Sequence, residues 1–317
     1  MKLYEEIKDA IVCPKCKSEL IPGESFVCSD VDCALVFPII NDVPVLINES
    51  TSIFKIEDFT ERRDTTYNTS ANGWKKNIKR LIPSISLNIK SDKNFEKFFN
   101  QLCDENQKPK ILIIGGAVEG KGLSEVLSNK DVTITETDVA FGFRTNIICD
   151  GHDLPFKNET FDGVIIQAVL EHVLDPFECV SEIHRVLKQN GTVYAETPFM
   201  QQVHAGRYDF LRFTHLGHRR LFRHFQEIES GAVCGPAMAL VWSYCYFIQS
   251  FFSSKIMYKA AFVFAVFTSF WLKYFDYFLI DKSGSFDAAS GYYFWGKKSE
   301  RYLSDSELIK NYKGMIR

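Results

Sequence analysis

Three groups of residues in this chain have types and spacings that can do chemistry. Cys13-Pro14-Lys15-Cys16 is a Cys-x-x-Cys knuckle, and Cys28 and Cys33 form a second, looser pair with four residues between. Four thiolates in two pairs, a short hairpin apart, suit a tetrahedral structural Zn2+. The plainer alternative is a ribbon that has lost its metal and merely buries its thiols. A redox pair is disfavoured, because no βαβ pattern surrounds the knuckle. The second group is the segment from His204 to His215, crowded with titratable and aromatic side chains. His204 or Asp209 could take the proton from an attacking hydroxyl, and Arg212 could hold a phosphate or carboxylate. Asp209 and Arg212 are three apart, so they could equally pair and stabilise a turn. The third group is Glu171-His172, whose imidazole has an ordinary pKa suited to proton transfer near neutrality.

The elements that must position these groups are legible as periodicity. Ile111-Leu112-Ile113-Ile114 is a continuous apolar run, as the centre of a parallel sheet requires, and it ends in Gly115-Gly116-Ala117. Glycines there let the backbone turn tightly and approach a ligand, with Gly120 and Gly122 near the start of a helix. Val132 to Glu136 reads as the second strand. Ligands of doubly wound sheets bind at the carboxyl ends of strands, so Glu136 is expected to accept hydrogen bonds from ribose hydroxyls. Asp138 is the rival, two residues on and on the same side of an extended chain. Phe161 to Ile166 is the fourth strand, and Gln167 follows where cofactor and acceptor would meet. Pro176 opens an amphipathic helix ended by Asn190-Gly191, and Thr192 to Pro198 is the fifth strand. Thr214 is placed to cap the helix through Arg219, Arg220, Leu221 and Phe222. Phe95, Phe98, Phe99 and Leu102 recur at helical spacing before the main domain.

The run Asp150-Gly151-His152-Asp153-Leu154-Pro155-Phe156, then Phe161-Asp162-Gly163 to Leu170-Glu171-His172, resembles the middle of a class I S-adenosylmethionine (SAM) methyltransferase. So does Glu182-Ile183-His184-Arg185-Val186-Leu187-Lys188-Gln189-Asn190-Gly191. The glycine loop departs from that pattern, with Ile113 in place of an acidic residue and Ala117 in place of the second glycine. The resemblance implies that Asp150 accepts from the adenine amino group, that the Gly151 amide donates to a ring nitrogen, and that SAM lies against Gly115, Gly116, Ala117, Glu136 and Gln167. It also implies that Glu171-His172 often only braces its loop, and that the helix holding Phe95 covers the cofactor or simply packs. Residues 10 to 48 resemble the small zinc ribbon found as a methyltransferase activator. Tyr208-Asp209-Phe210 to Phe213-Thr214 looks like a segment of methyltransferases encoded with surface-glycan genes.

The expected fold is α/β: a seven-stranded, mostly parallel, Rossmann-like methyltransferase sheet with an N-terminal zinc ribbon. The expected domains are a ribbon over 1–50, a linker and covering helix over 51–108, the methyltransferase domain over 109–298 and a tail over 299–317. About sixty residues separate the strand Gln226–Ala232 from the last strand, Gly291–Gly296. This insertion, 237–282, holds two apolar aromatic runs. The second lies between Lys259 and Lys273, too short for an ordinary span of ~20 residues. A pair of helices lying on a membrane surface, a lid, a packing layer and a homodimer face are its readings, ahead of a transmembrane hairpin.

A net charge of −3, from 37 basic and 40 acidic residues, argues against a nucleic-acid substrate. Met1 to Ala10 is charged and carries no apolar leader run. The nine cysteines read as reduced thiols plus a metal site, in a cytoplasmic chain that is peripheral on the inner face of the membrane if the insertion binds lipid. The expected activity is methyl transfer from SAM to a small-molecule or glycan acceptor, lipid-linked if the membrane reading is right. A non-catalytic SAM-binding scaffold and an RNA or protein methyltransferase are the alternatives. No Asn/Asp-Pro-Pro-Tyr/Phe signature follows the fourth strand, where Gln167-Ala168-Val169-Leu170 stands instead.

Overall fold

The computed structural model describes residues 7–65, 82–124, 127, 129 and 131–315, so residues 66–81 of the linker lie outside the described residues. At the N-terminus β1 (Leu20–Ile21), β2 (Ser25–Cys28), β3 (Val36–Ile40) and β4 (Val43–Pro44) form an antiparallel four-stranded sheet. So small a sheet has little core of its own. It solves this by joining the main core: Phe26, Phe37 and Leu46 pack in one cluster with Leu154, Phe156 and Phe161. Val45 makes a parallel bridge to Ile148, and the Leu46 amide donates to the Ile148 carbonyl at 2.8 Å. The chain leaving the ribbon thus covers an otherwise unpaired sheet edge.

The main sheet has seven strands: β5 (Lys110–Ile114), β6 (Thr133–Asp138), β7 (Ile147–Ile148), β8 (Phe161–Gln167), β9 (Leu187–Pro198), β10 (Phe225–Cys234) and β11 (Gly291–Lys298). Their spatial order is β10-β11-β9-β8-β5-β6-β7. All neighbouring pairs from β7 to β9 are parallel, and β11 runs antiparallel to both its neighbours. The order reverses at β5, which has β6 on one side and β8 on the other, and this is where such a sheet opens a ligand crevice. β5 is central because four of its five residues are buried.

Between the ribbon and the sheet, α1 (Ile56–Thr60) and α2 (Ser91–Glu105) differ in role. Phe95, Phe98 and Leu102 of α2 are buried against Ile113, Ile165 and Tyr194, so α2 packs under the sheet rather than covering the ligand side. α3 (Pro176–Val186) starts with Pro176 at its first turn and Asp175 accepting from the Phe177 and Glu178 amides. It ends at Val186, four residues before the expected Asn190-Gly191 stop, because Leu187 already joins β9. α4 (His215–Leu221) is capped by Thr214, as its spacing predicted.

The insertion is helical: α5 (Pro236–Gln249) and α6 (Lys255–Ser269), continued by further helical turns to Leu279. Lys273 does not end the second run at water as the sequence suggested. It is buried, and its ammonium donates to the Ser84 and Ser86 carbonyls. The run Lys255–Leu279 is consequently 25 residues, long and apolar enough to cross a membrane, with 22% of its apolar window buried.

Candidate functional site

A cavity of about 870 Å³ opens over the carboxyl ends of β5, β6, β8 and β9. One wall is the loop after β5. Gly115 has φ +83°, and a side chain there would strike Val169, so only glycine fits. Gly115, Ala117, Gly120 and Lys121 line the cavity. Gly116 does not; a Cβ on it would lie 2.5 Å from the Glu136 carboxylate, so its role is close packing behind the wall.

Glu136 is not among the lining residues. It is buried, and its Oε1 accepts from Arg144 Nε at 2.6 Å. Asp138, the rival, does line the cavity. The physical reason is register. β6 continues two residues beyond the expected end at Glu136, so Asp138 reaches the rim while Glu136 stays below it. Asp138 accepts from the Ala117 and Ala140 amides, both at 2.9 Å, and burial pushes its carboxyl up to about 6.

Asp150, Gly151 and His152 line the next stretch. Asp150 is heavily used by the protein itself. Ser52 Oγ donates to its Oδ2 at 2.5 Å, His152 Nδ1 lies 2.5 Å from its Oδ1, and the His152 amide donates to Oδ1 at 3.1 Å. It therefore closes a turn and pins the linker, with lone pairs remaining for a ligand. The cover above is formed by linker residues, among them Ile53, Phe54, Phe59 and Thr65. Phe54, Ile56 and Phe59 also pack with Val43 and Val45 of the ribbon and with Ile148.

The floor is a buried polar network. Gln167 Nε2 donates to Glu196 Oε2 at 2.7 Å and to the Lys121 carbonyl at 3.1 Å. Glu196, buried at the cavity floor, also accepts from Ser91, Asn88 and Tyr194. Glu196 was missed by the sequence reading. Its signal was a carboxylate within the expected strand Thr192–Pro198, which must be bonded to be tolerated inside a sheet.

The far wall gathers Glu171, His172 and His204, all lining the cavity. Their rings and carboxylate converge: the imidazoles are 5.1 Å apart, and His172 Nε2 and His204 Nε2 lie 3.6 and 3.7 Å from Glu171 Oε1. Asp209, expected as an alternative base, is elsewhere. Its buried carboxylate forms a two-pronged ion pair with Arg212 and accepts from the His204 amide at 2.9 Å. Burial alone would raise it, but Arg212 outweighs burial and holds it at about 2, so it has no basicity to offer. Arg212 in turn also donates to the Gln201, Gln202 and Leu211 carbonyls and has no hand free for an anion.

The four ribbon sulfurs also converge. Cys13–Cys33 and Cys16–Cys28 are 3.8 and 3.3 Å apart, and all four lie within 4.8 Å of one another. Sulfurs at ~2.3 Å around one tetrahedral ion would be roughly 3.8 Å apart, so the set is compatible with zinc.

Residues 126–195, which take in β6, β7, β8, α3 and β9 as far as Ala195, match a methyltransferase domain model. Of the strands that frame the cavity, the match takes in β6, β8 and most of β9, and β5 lies before it. This chain carries a methyltransferase domain over those residues. Beyond the domain model, an uncharacterized protein of Methanocaldococcus jannaschii is 47% identical over 47 residues, 15% of this chain. That match spans 23% of the relative's own length. Among solved structures, phosphoethanolamine N-methyltransferase 2 of Haemonchus contortus, in complex with S-adenosyl-L-methionine, is 14% identical, with a TM-score of 0.40 over 67% of this chain and 54% of that one. The 1,6-didemethyltoxoflavin-N1-methyltransferase of Burkholderia thailandensis is 12% identical, with a TM-score of 0.39 over 74% of this chain and 94% of the other.

Proposed function

We propose that this methyltransferase domain transfers the methyl group of SAM to a hydroxyl of a small molecule or glycan. The observation that carries the reading is one cavity with two unlike walls. Asp138, the β5 loop amides and Asp150-Gly151 form a wall suited to a nucleoside, and Glu171, His172 and His204 form a wall suited to a proton-bearing acceptor. In this reading Asp138 accepts from the ribose hydroxyls, Asp150 and the Gly151 amide meet the adenine edge, and Phe54 and Phe59 cover the ring. Gln167, held by Glu196, lines the floor where donor and acceptor meet. SAM supplies an electrophilic methyl on a good leaving group. The protein's contribution is then alignment, exclusion of water and removal of one proton from the acceptor.

We also assign a structural Zn2+ to Cys13, Cys16, Cys28 and Cys33, whose spacing and convergence support it. The exposed aromatic band of the insertion, including Phe264, Phe267, Trp271 and Tyr274, supports peripheral contact with a cytoplasmic membrane face, where a lipid-linked acceptor would be met. The first experiment is calorimetry of SAM binding to the purified chain, followed by a screen of hydroxyl-bearing acceptors for methylated product. SAM binding in the micromolar range with an O-methylated product is the expected result. A folded chain that binds no SAM would overturn the reading. One that binds SAM but methylates only amines would overturn the acceptor class.

A further inference from the structure

Glu171 is unusual even within the cavity. Its carboxylate is wholly buried, yet among the described residues neither oxygen has a hydrogen-bond partner. Burying a carboxylate without hydrogen bonds is costly, and proteins rarely tolerate it unless a charge sits beside it. The groups that face it are two imidazole nitrogens, His172 Nε2 at 3.6 Å and His204 Nε2 at 3.7 Å, both beyond hydrogen-bond distance.

The other nitrogen of each ring decides what those Nε2 atoms carry. His172 Nδ1 lies 2.8 Å from the Tyr208 carbonyl, which can only accept, so the proton is on Nδ1. His204 Nδ1 faces the Gln202 carbonyl at 3.4 Å and Asp209 Oδ2 at 3.5 Å, again acceptors. Arg212 Nη2 is also 3.5 Å from it, but its two protons are already directed to Gln202 and Asp209. In their neutral form both rings are held by their back nitrogens with the Nε2 lone pair forward. Two lone pairs and a carboxylate then point at a common spot.

That arrangement is repulsive unless a cation occupies the spot. We propose that Glu171, His172 and His204 bind a divalent transition-metal ion, separate from the ribbon's zinc, with its open coordination position facing the cavity. The ligand atoms lie within 4.8 Å of one another. An ion at ~2.1 Å from each needs ligand separations of roughly 3.0–3.6 Å, which small side-chain shifts supply. Two imidazoles and one carboxylate are a donor set for Zn2+, Co2+, Mn2+ or Fe2+ rather than for Ca2+ or Mg2+. The Tyr208, Gln202 and Asp209 contacts are the outer shell that fixes ring orientation in such sites. Asp209 and Arg212, excluded above as base and anion holder, have this orienting task.

The consequence for catalysis rests on the methyl-transfer reading. An acceptor hydroxyl on the open position becomes more acidic and loses its proton to solvent. Its oxygen then forms the new C–O bond as the methyl–sulfur bond breaks, and that electron pair stays on sulfur.

The test uses the full chain with its ribbon already filled with zinc. Co2+ is titrated in, and bound metal is counted by equilibrium dialysis alongside the visible spectrum. One further equivalent is expected, with weak d–d bands and no thiolate charge-transfer band. Glu171→Gln, which keeps the side-chain shape, and His204→Ala are each expected to weaken this equivalent at least 100-fold. Folded wild type that takes up no Co2+ beyond the ribbon, or variants that bind as tightly as wild type, would overturn the proposal. SAM calorimetry on the same samples separates the two ideas. SAM binding without the extra metal removes only the metal site, and metal binding without SAM removes only the methyl-transfer reading.

Discussion

Two acidic side chains on one strand carry the donor half of the proposed function, and only one of them reaches the cavity. Asp138 lines the cavity, whereas Glu136 lies behind its wall with one carboxylate oxygen bonded to Arg144. Asp138→Ala is therefore expected to raise the Kd for SAM by about 10- to 100-fold, the loss of charge-assisted hydrogen bonds worth ~1.5–3 kcal/mol. Glu136→Gln is expected to leave that Kd within about threefold, because the change lies behind the wall. Calorimetry of both variants checks this, and the reverse ranking would move the ribose side. The choice was not legible in the sequence for a specific reason. Both residues lie on one face of β6, and what separates them is where the strand ends relative to β5, a property of pairing rather than composition. The convergence of Glu171, His172 and His204 was unreadable for the same kind of reason. His204 lies 32 positions after His172, beyond β9, and nothing local joins them.

Among the elements, those framed by strong hydrophobic periodicity were legible: β5, β8 and the starts of α3 and β11 fall where their patterns put them. The second apolar run of the insertion was read less well, because its length was counted only between Lys259 and Lys273. Burial of Lys273 beneath the segment at Ser84–Ser86 could not be seen in a one-dimensional pattern. The insertion is also held by a device with no sequence motif. Asp276, wholly buried, accepts from the Ala237 and Met238 amides at 2.7 and 2.8 Å and so caps α5 from a distant helical turn. Asp276→Ala is expected to destabilise the chain by ~1–2 kcal/mol, the usual worth of an N-cap, with a matching fall in Tm by calorimetry or circular dichroism. An unchanged Tm would mean that the cap carries no net stability. α4 contributes a different sensitivity. His218 is fully buried against Phe222 and Phe294 with neither nitrogen bonded among the described residues, and burial, with His215 nearby, lowers its pKa from 6.5 to about 3. The folded state thus binds the proton more weakly than the unfolded one. Its stability contribution is complete above pH 6.5 and is lost as pH falls from 6.5 toward 3. At pH 5 the loss is roughly 2 kcal/mol. His218→Leu should flatten the denaturation midpoint between pH 7 and 5; a variant as acid-sensitive as wild type would place the effect on another group.

At the scale of the whole molecule, the ribbon is built into the domain rather than tethered to it. The path is continuous. From the cysteine cluster the chain runs through β4 to the Val45–Ile148 bridge, then to Asn48, which donates to Asp153 at 3.1 Å, then to Ser52 on Asp150, and finally to Phe54 and Phe59 over the cavity. Lys17, just beyond the first knuckle, reaches Glu182 at 3.1 Å and the Leu154 carbonyl at 3.3 Å. Metal loss from such a ribbon should therefore be felt at the far end of this path. Stripping the zinc with a chelator, or making Cys13→Ser with Cys16→Ser, is expected to lower the Tm of the whole chain in one cooperative transition. The SAM Kd should rise about tenfold, ~1.4 kcal/mol, because the linker that covers the adenine side loses its anchor while the β5 and β6 contacts remain. The two measurements together are decisive. A two-step melt in which the larger transition and the SAM Kd are both unmoved would mean that ribbon and cavity are independent, in spite of the shared core. A single lowered transition with weakened SAM binding would make the ribbon's metal part of how this cavity is kept closed over its ligand.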